Sequence, residues 1–71
     1  MQANDYPPPL FEQRGKEVSY YTYNSSVDAM RASVIAESRA MHRWANGQDY
    51  VYSLPGQIVR NPDGSFTVTV V

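Results

Sequence analysis

Few side chains in this 71-residue sequence could carry out chemistry. His42 is the only histidine, no acidic residue lies one helical turn from it, and the chain has no cysteine and no glycine-rich phosphate loop. Acid–base and nucleophilic catalysis need a polarised partner beside the reacting group, and a metal site needs several ligands at short spacing. The sequence therefore predicts a protein that is not an enzyme and that uses no metal or cofactor.

Basic residues on one side of a predicted helix are the stronger candidate for function. Arg31, Arg39 and Arg43 are half of the six basic residues, and helical spacing places them along one side. Ile35 lies between the first two. An apolar side chain among cations is typical of a protein interface rather than of a phosphate track. We therefore predict a protein-binding helix face, which consists of Arg31, Ile35, Arg39, His42 and Arg43.

Two other interpretations of this face stay open. Nucleic-acid binding would use the same arginines, although the formal net charge of −1 is unlike the basic footprint of nucleic-acid-binding domains. Alternatively, the face is simply solvated, with Arg31 paired to Asp28 one turn earlier.

Tyrosine is over-represented in this chain, with six residues. Tyr21 and Tyr23 share one face of a predicted strand, and Tyr20 lies on the other face. Tyrosine offers a large contact area at low entropic cost. If the sheet exposes Tyr21 and Tyr23, they form a second candidate surface for a homodimer or for stacking on bases. Otherwise, the tyrosines only cover a small sheet.

The elements that must position these residues follow the order β-β-α-β-β. Glycine, proline and asparagine residues mark their ends, and the spacing of apolar residues distinguishes the strands from the helix. They are a short strand at 10–13, a strand at 17–24, a helix at 25–47, a strand at 49–54 that resumes at 57–59, and a strand at 65–71. The predicted fold class is α+β, a single antiparallel sheet of three to four strands with one long helix on one face.

The helix has a clear start and an apparent core face. Ser25 and Asp28 have the spacing of a capping box, and an acid in the first turn suits the helix dipole. At about 100° per residue, the bulky apolar side chains form one stripe, which is expected to face the core. The stripe consists of Val27, Met30, Val34, Met41, Trp44 and Ala45. Four alanines are expected only to add helix propensity: Ala29, Ala32, Ala36 and Ala40.

The chain divides into an arm and one domain. Residues 1–9 contain three consecutive prolines, which favour an extended conformation, and residues 10–71 form the domain. The arm has three possible roles. It is a frayed tail, a segment that lies along the domain or a neighbour with Tyr6, Leu10 and Phe11 as the expected anchors, or a docking motif for a proline-reading domain.

The last strand follows a strong turn signature, Asn61–Gly64. Its apolar residues Phe66, Val68 and Val70 should face inward. An apolar strand at a sheet edge would invite aggregation, so this strand is expected inside the sheet or at an interface. A chain of this length has a thin core that a homodimer would supplement. A structural homo-oligomer is therefore a further functional alternative.

No stretch approaches the roughly 20 apolar residues of a spanning helix, and no signal peptide is recognisable. Together with the absence of cysteine, these features favour a cytoplasmic protein without a membrane contact.

The size and element order resemble those of small phage-encoded proteins that inhibit bacterial enzymes. Examples are the RNA polymerase inhibitors of short-tailed phages and compact anti-CRISPR proteins. The resemblance depends on the strand Val18–Tyr23, the helix entry Ser25–Ala29 and the hairpin Asn61–Gly64. It implies a non-enzymatic inhibitor that binds and occludes a bacterial host protein. It transfers no site residue, and this chain lacks the strong negative charge of DNA-mimicking inhibitors.

Overall fold

The computed structural model describes residues 5–45 and 55–71; the side chains of residues 42–45 lie outside this description. The described residues form one helix and four strands in the predicted order. These elements are β1 (Phe11–Arg14), β2 (Ser19–Tyr23), α1 (Ser26–Ala45), β3 (Ile58–Arg60) and β4 (Phe66–Val70). The α+β fold class is thus confirmed. The predicted strand at 49–54 and the helix stop at residues 46–47 lie outside the described residues.

The sheet is antiparallel, with the strand order β1-β2-β4-β3. The last strand, β4, lies between β2 and β3, as expected from its apolar sequence. Tyr21 pairs with Val68 and Tyr23 with Phe66 across the β2–β4 ladder. Because directly paired residues point to the same face, these side chains form one layer beneath the helix.

The core lies between this layer and α1. The sheet contributes large side chains there, including two tyrosines, and the helix contributes its alanines. The buried residues of the cluster are Tyr6, Tyr21, Tyr23, Ala29, Ala32, Ala36, Val68 and Val70. Tyr23 is 1% exposed and Ala32 is fully buried. The tyrosine rings fill the space between sheet and helix, so the helix can pack there only through residues without bulk.

The predicted core stripe of the helix is wrong. Val27, Met30, Val34 and Met41 are exposed, and the side chains of Trp44 and Ala45 lie outside the described residues. Hydrophobic periodicity selects the bulkiest apolar side chains for the core. Here the sheet supplies that bulk, so α1 is turned by about half a revolution and its alanines face inward.

The ends of the elements follow their predicted local chemistry. Ser25 caps α1, since its Oγ accepts a hydrogen bond from the Asp28 backbone N–H at 3.4 Å. In the last hairpin, the Gly64 N–H donates to the Asn61 carbonyl at 2.9 Å, and the Asn61 N–H donates to the Ser65 carbonyl at 2.8 Å. Gly64 has a φ of 91°, which glycine adopts without strain.

Gly56 holds the segment before β3 against α1. Its φ is 93°, and an added Cβ would meet the Glu37 side chain and the Ser33 carbonyl oxygen. Ser33 Oγ also donates a hydrogen bond to the Gly56 carbonyl. We expect Gly56→Ala to lower the free energy of unfolding by roughly 2–3 kcal/mol, because backbone strain and a steric clash add together.

Gly64→Ala is the matched control. Its φ is 91°, but an added Cβ would meet nothing within 4 Å, so only the strain of about 1 kcal/mol applies. Urea unfolding of both variants measures the difference. Equal losses would contradict the close packing of Gly56 on the helix.

Candidate protein-binding surface

The outer face of α1 carries four bulky apolar side chains, here called the outer helix stripe: Val27, Met30, Val34 and Met41. They are 59–68% exposed and lie within an arc of about 60°. The spacing i, i+3, i+7, i+14 is that of a helix–helix seam. Between Val34 and Met41 the stripe is interrupted at i+10, where the seam position is the exposed Glu37. The exposed apolar side chains make this helix face a candidate interaction surface.

The arm packs along the domain next to this stripe, with Tyr6 as its anchor. The Tyr6 side chain is buried, its ring meets the Tyr21 ring edge-on at 5.4 Å between centroids, and its hydroxyl donates to the Val71 carbonyl at 2.9 Å. The Tyr23 hydroxyl donates to the Pro7 carbonyl at 2.9 Å. The other two expected anchors, Leu10 and Phe11, are exposed.

Arg39 fastens the arm to the helix. Its guanidinium group lies 4.9 Å from the centre of the Tyr6 ring, and its Nη2 atom lies 3.3 Å from Asp5 Oδ2. These contacts combine a cation–π interaction with a partly exposed ion pair. Arg39 therefore contacts the arm, while its side chain remains 38% exposed.

A groove of about 810 Å³, here called the arm groove, separates the arm from the helix. One wall is proline and the other belongs largely to the outer helix stripe. Its lining residues are Asp5, Pro7, Pro8, Val27, Asp28, Met30, Arg31, Val34 and Ile35. Among the described residues, neither Asp28 nor Arg31 forms an ion pair. The groove thus has an apolar floor and one unpaired charge of each sign.

The structure does not assemble the predicted basic face as a unit. Arg31 is exposed at the arm groove, whereas Arg39 is engaged with the arm. Ile35 is half-buried against the core cluster. The side chains of His42 and Arg43 lie outside the described residues, so their role in binding stays a prediction.

The expected tyrosine surface does not exist. Tyr21 and Tyr23 face the helix and are buried, with their rings 6.5 Å apart in an edge-on contact. Both faces of β2 carry large residues, so alternation alone cannot decide which face the helix covers. The two tyrosines belong to the core, so the exposure on which this candidate surface depends is not present in the described residues.

Burial of Tyr23 predicts a loss of stability in alkali. Desolvation raises the pKa of its phenol from 10.0 to about 12, assisted by the nearby Tyr21 and Asp28. The pKa of Tyr23 is higher in the folded state than in the unfolded state. The contribution of Tyr23 to the free energy of unfolding is therefore complete below pH 10 and is lost as the pH rises towards 12. We expect the free energy of unfolding to fall there by up to roughly 2–3 kcal/mol from this group.

Urea unfolding across this pH window measures the effect, with Tyr23→Phe as the control. The phenylalanine variant starts lower, because the hydrogen bond to Pro7 is lost, but its stability should depend less steeply on pH. Identical slopes for the two proteins would contradict the assignment to Tyr23.

Sequence reasoning missed the outer helix stripe as a surface because it assigned the same residues to the core. One signal was available. Ala29, Ala32 and Ala36 fall on a single helix face, and small residues on one face favour close packing against large side chains on the facing layer. The tyrosine-rich β2 is the source of such side chains.

Comparison of the chain with models of protein families, with curated proteins and with solved structures gave no match. Within the described residues, no helix is long and apolar enough to cross a membrane. In the same part of the chain, no three His, Asp or Glu side chains are grouped so that they could hold a metal ion.

Proposed function

We propose that this chain is a non-enzymatic protein-interaction module that binds through the outer helix stripe and the arm groove. The observation that carries the proposal is the orientation of α1: its alanines are buried and its bulky apolar side chains are exposed. Burial of an apolar side chain contributes roughly 1.5–3 kcal/mol. Since the four side chains are 59–68% exposed, a partner that covers them would gain part of this contribution at each position, less the entropic cost of association.

The partner that fits this surface is an amphipathic helix of a larger protein. From Val27 to Met41 the stripe runs about 21 Å along α1, which corresponds to four turns of a partner helix. Its spacing matches knobs-into-holes packing at four of five seam positions; the fifth is Glu37, for which the partner helix would need a polar or basic side chain. Asp28 and Arg31 lie at one side of the seam, so a partner with a basic and an acidic side chain there would be oriented by both charges.

Occlusion of a site on a bacterial host protein is the mode of action we propose. A domain of this size with one apolar contact face blocks a helix-binding or helix-presenting site simply by covering it. Nucleic-acid binding is the weaker alternative, because Arg39 is paired with Asp5 and packed on Tyr6, which leaves Arg31 as the exposed arginine in the described part of the helix.

The test compares two exposed valines on opposite sides of the domain. Val34→Asp places a charge in the centre of the outer helix stripe, and Val59→Asp places the same charge on the far side of the sheet. A partner recovered from bacterial lysate by the wild-type chain would be purified and titrated with each variant. We expect Val34→Asp to weaken binding at least 100-fold and Val59→Asp to leave it within about threefold.

Urea unfolding of both variants would first show that they remain folded, since both valines are exposed. Ile35→Asp is less suitable, because Ile35 packs partly against the core. Equal affinity of wild type and Val34→Asp would refute the helix-face proposal. Binding to an oligonucleotide with a steep salt dependence would instead favour the nucleic-acid alternative.

A further inference from the structure

The face of the sheet opposite α1 carries no charged side chain within the described strands. Alternation along each strand and the registers of the three ladders assign its members. They form two rows across the sheet. One row is Phe11, Thr22, Thr67 and Val59, and the other is Gln13, Tyr20, Thr69 and Gln57.

Charge in the strands is confined to the helix side. Glu12 pairs with Tyr21 and Arg14 with Ser19, so both point to the helix side, where they form an ion pair at 3.8 Å. Arg60 pairs with Phe66 on that same side. An open antiparallel sheet normally presents its polar side to solvent. Here this face exposes Phe11 (61%) and Val59 (51%) at opposite ends of one row, whereas Thr69 in the centre of the other row is only 7% exposed. The row from Phe11 to Val59 is therefore the more accessible part of the face.

The order of residues within the rows is self-complementary. A twofold axis that runs parallel to the strands, midway between β2 and β4, would bring β1 of one copy over β3 of the other. Phe11 then lies over Val59 of the second copy, Thr22 over Thr67, and Gln13 over Gln57. Each contact occurs twice, as an isologous interface requires. We propose that this face binds a second copy of the chain, sheet against sheet.

The described strands place no charged side chain on this face, which favours a second copy of the chain over other binding partners. Two identical charged faces would repel each other, whereas two neutral faces bring no like charges together. A nucleic acid would require cations, which the strands do not place on this face. The threonines are also prearranged: Thr22 and Thr67 hydroxyls lie 3.3 Å apart, and Asn61 donates to Thr67 Oγ1 at 2.9 Å.

The size of the face sets the strength of the dimer. Four strands about 4.8 Å apart, with three to five residues each, cover a plane of roughly 270 Å², which is small compared with the roughly 800 Å² per partner of a standard interface. We therefore expect a weak dimer that forms at high protein concentration. This inference does not depend on the proposed function, which uses the opposite side of the domain.

Cross-linking tests the geometry, because the chain has no cysteine of its own. Phe11→Cys and Val59→Cys proteins would be treated, alone and mixed, with a bismaleimide shorter than the roughly 14 Å that separates β1 from β3. We expect cross-linked dimer in the mixture and none in either protein alone. A mixture of Phe11→Cys with Met30→Cys controls for random collision.

Two cross-linking results would overturn the proposal. One is efficient cross-linking of either single variant alone, which would indicate another axis. The other is a yield in the Phe11→Cys and Val59→Cys mixture no greater than in the collision control.

Light scattering over a range of concentrations tests the surface independently. The mass of the wild-type protein should rise with concentration, Val59→Asp should raise the dissociation constant at least tenfold, and Val34→Asp should leave it unchanged. Phe11→Asp provides a second variant if Val59→Asp fails to fold. A wild-type protein that stays monomeric, or a dimer lost in Val34→Asp but kept in Val59→Asp, would overturn the proposal.

Discussion

Replacing Ala32 with leucine is expected to remove most of the stability of the domain. Ala32 is fully buried and belongs to the cluster in which Tyr21, Tyr23 and Val68 face the helix. Three additional carbon atoms would push α1 away from the sheet. Overpacking of this kind costs about 1–3 kcal/mol and sometimes more, whereas a single small core supplies only about 3–5 kcal/mol. Urea unfolding followed by circular dichroism measures the loss.

Val34→Leu is the matched control for this experiment. It lies two residues further along the same helix and also introduces leucine, but its side chain belongs to the exposed outer helix stripe. Its effect should stay within about 0.5 kcal/mol. If leucine were tolerated at position 32 and costly at position 34, the bulky face of the helix would be the one that faces the sheet.

Replacing Tyr6 with alanine is expected to cost about 3 kcal/mol, a value typical of a buried aromatic residue. The substitution removes the ring that contacts Tyr21, the hydrogen bond to Val71 and the surface on which Arg39 rests. The arm would lose its anchor, and the wall of the arm groove formed by Pro7 and Pro8 would lose its position. Urea unfolding measures the first effect.

Two further variants separate the parts of this effect. Tyr6→Phe keeps the ring and loses the hydroxyl that binds Val71, so it should cost about 1 kcal/mol. Phe11→Ala removes an aromatic side chain that is exposed and should change stability by less than about 0.5 kcal/mol. Equal stabilities of Tyr6→Ala and wild type would show that the arm does not pack on the domain.

The order of the elements was accessible from sequence because it depends on local chemistry. The cap at Ser25, the glycine at position 64 and the alternation in the last strand each have a local physical cause. An apolar strand at an edge is disfavoured, which left a position inside the sheet or at an interface for β4; the structure shows the first of these. These features together were sufficient for the α+β fold class.

The orientation of the helix was not accessible in the same way. Periodicity finds an apolar face but does not compare the size of its side chains with those of the facing layer. Which face of α1 packs on the sheet depends on Tyr21 and Tyr23. The sequence does not determine where these two tyrosines point, because both faces of β2 carry large side chains. The pairing of Arg39 with Asp5 spans 34 residues, and no local pattern indicates such a contact.

The β2–β4 ladder also determines how the chain can fold. Val68 pairs with Tyr21, and Tyr6 reaches Val71 across 65 residues, so the central contacts join distant parts of the chain. Contacts of this separation form late and slowly. During synthesis, the first hairpin and the helix leave the ribosome before β4. Their core tyrosines and alanines therefore remain exposed to solvent until β4 pairs with β2. We therefore expect the domain to be completed in one cooperative step, once β4 is available to pair with β2.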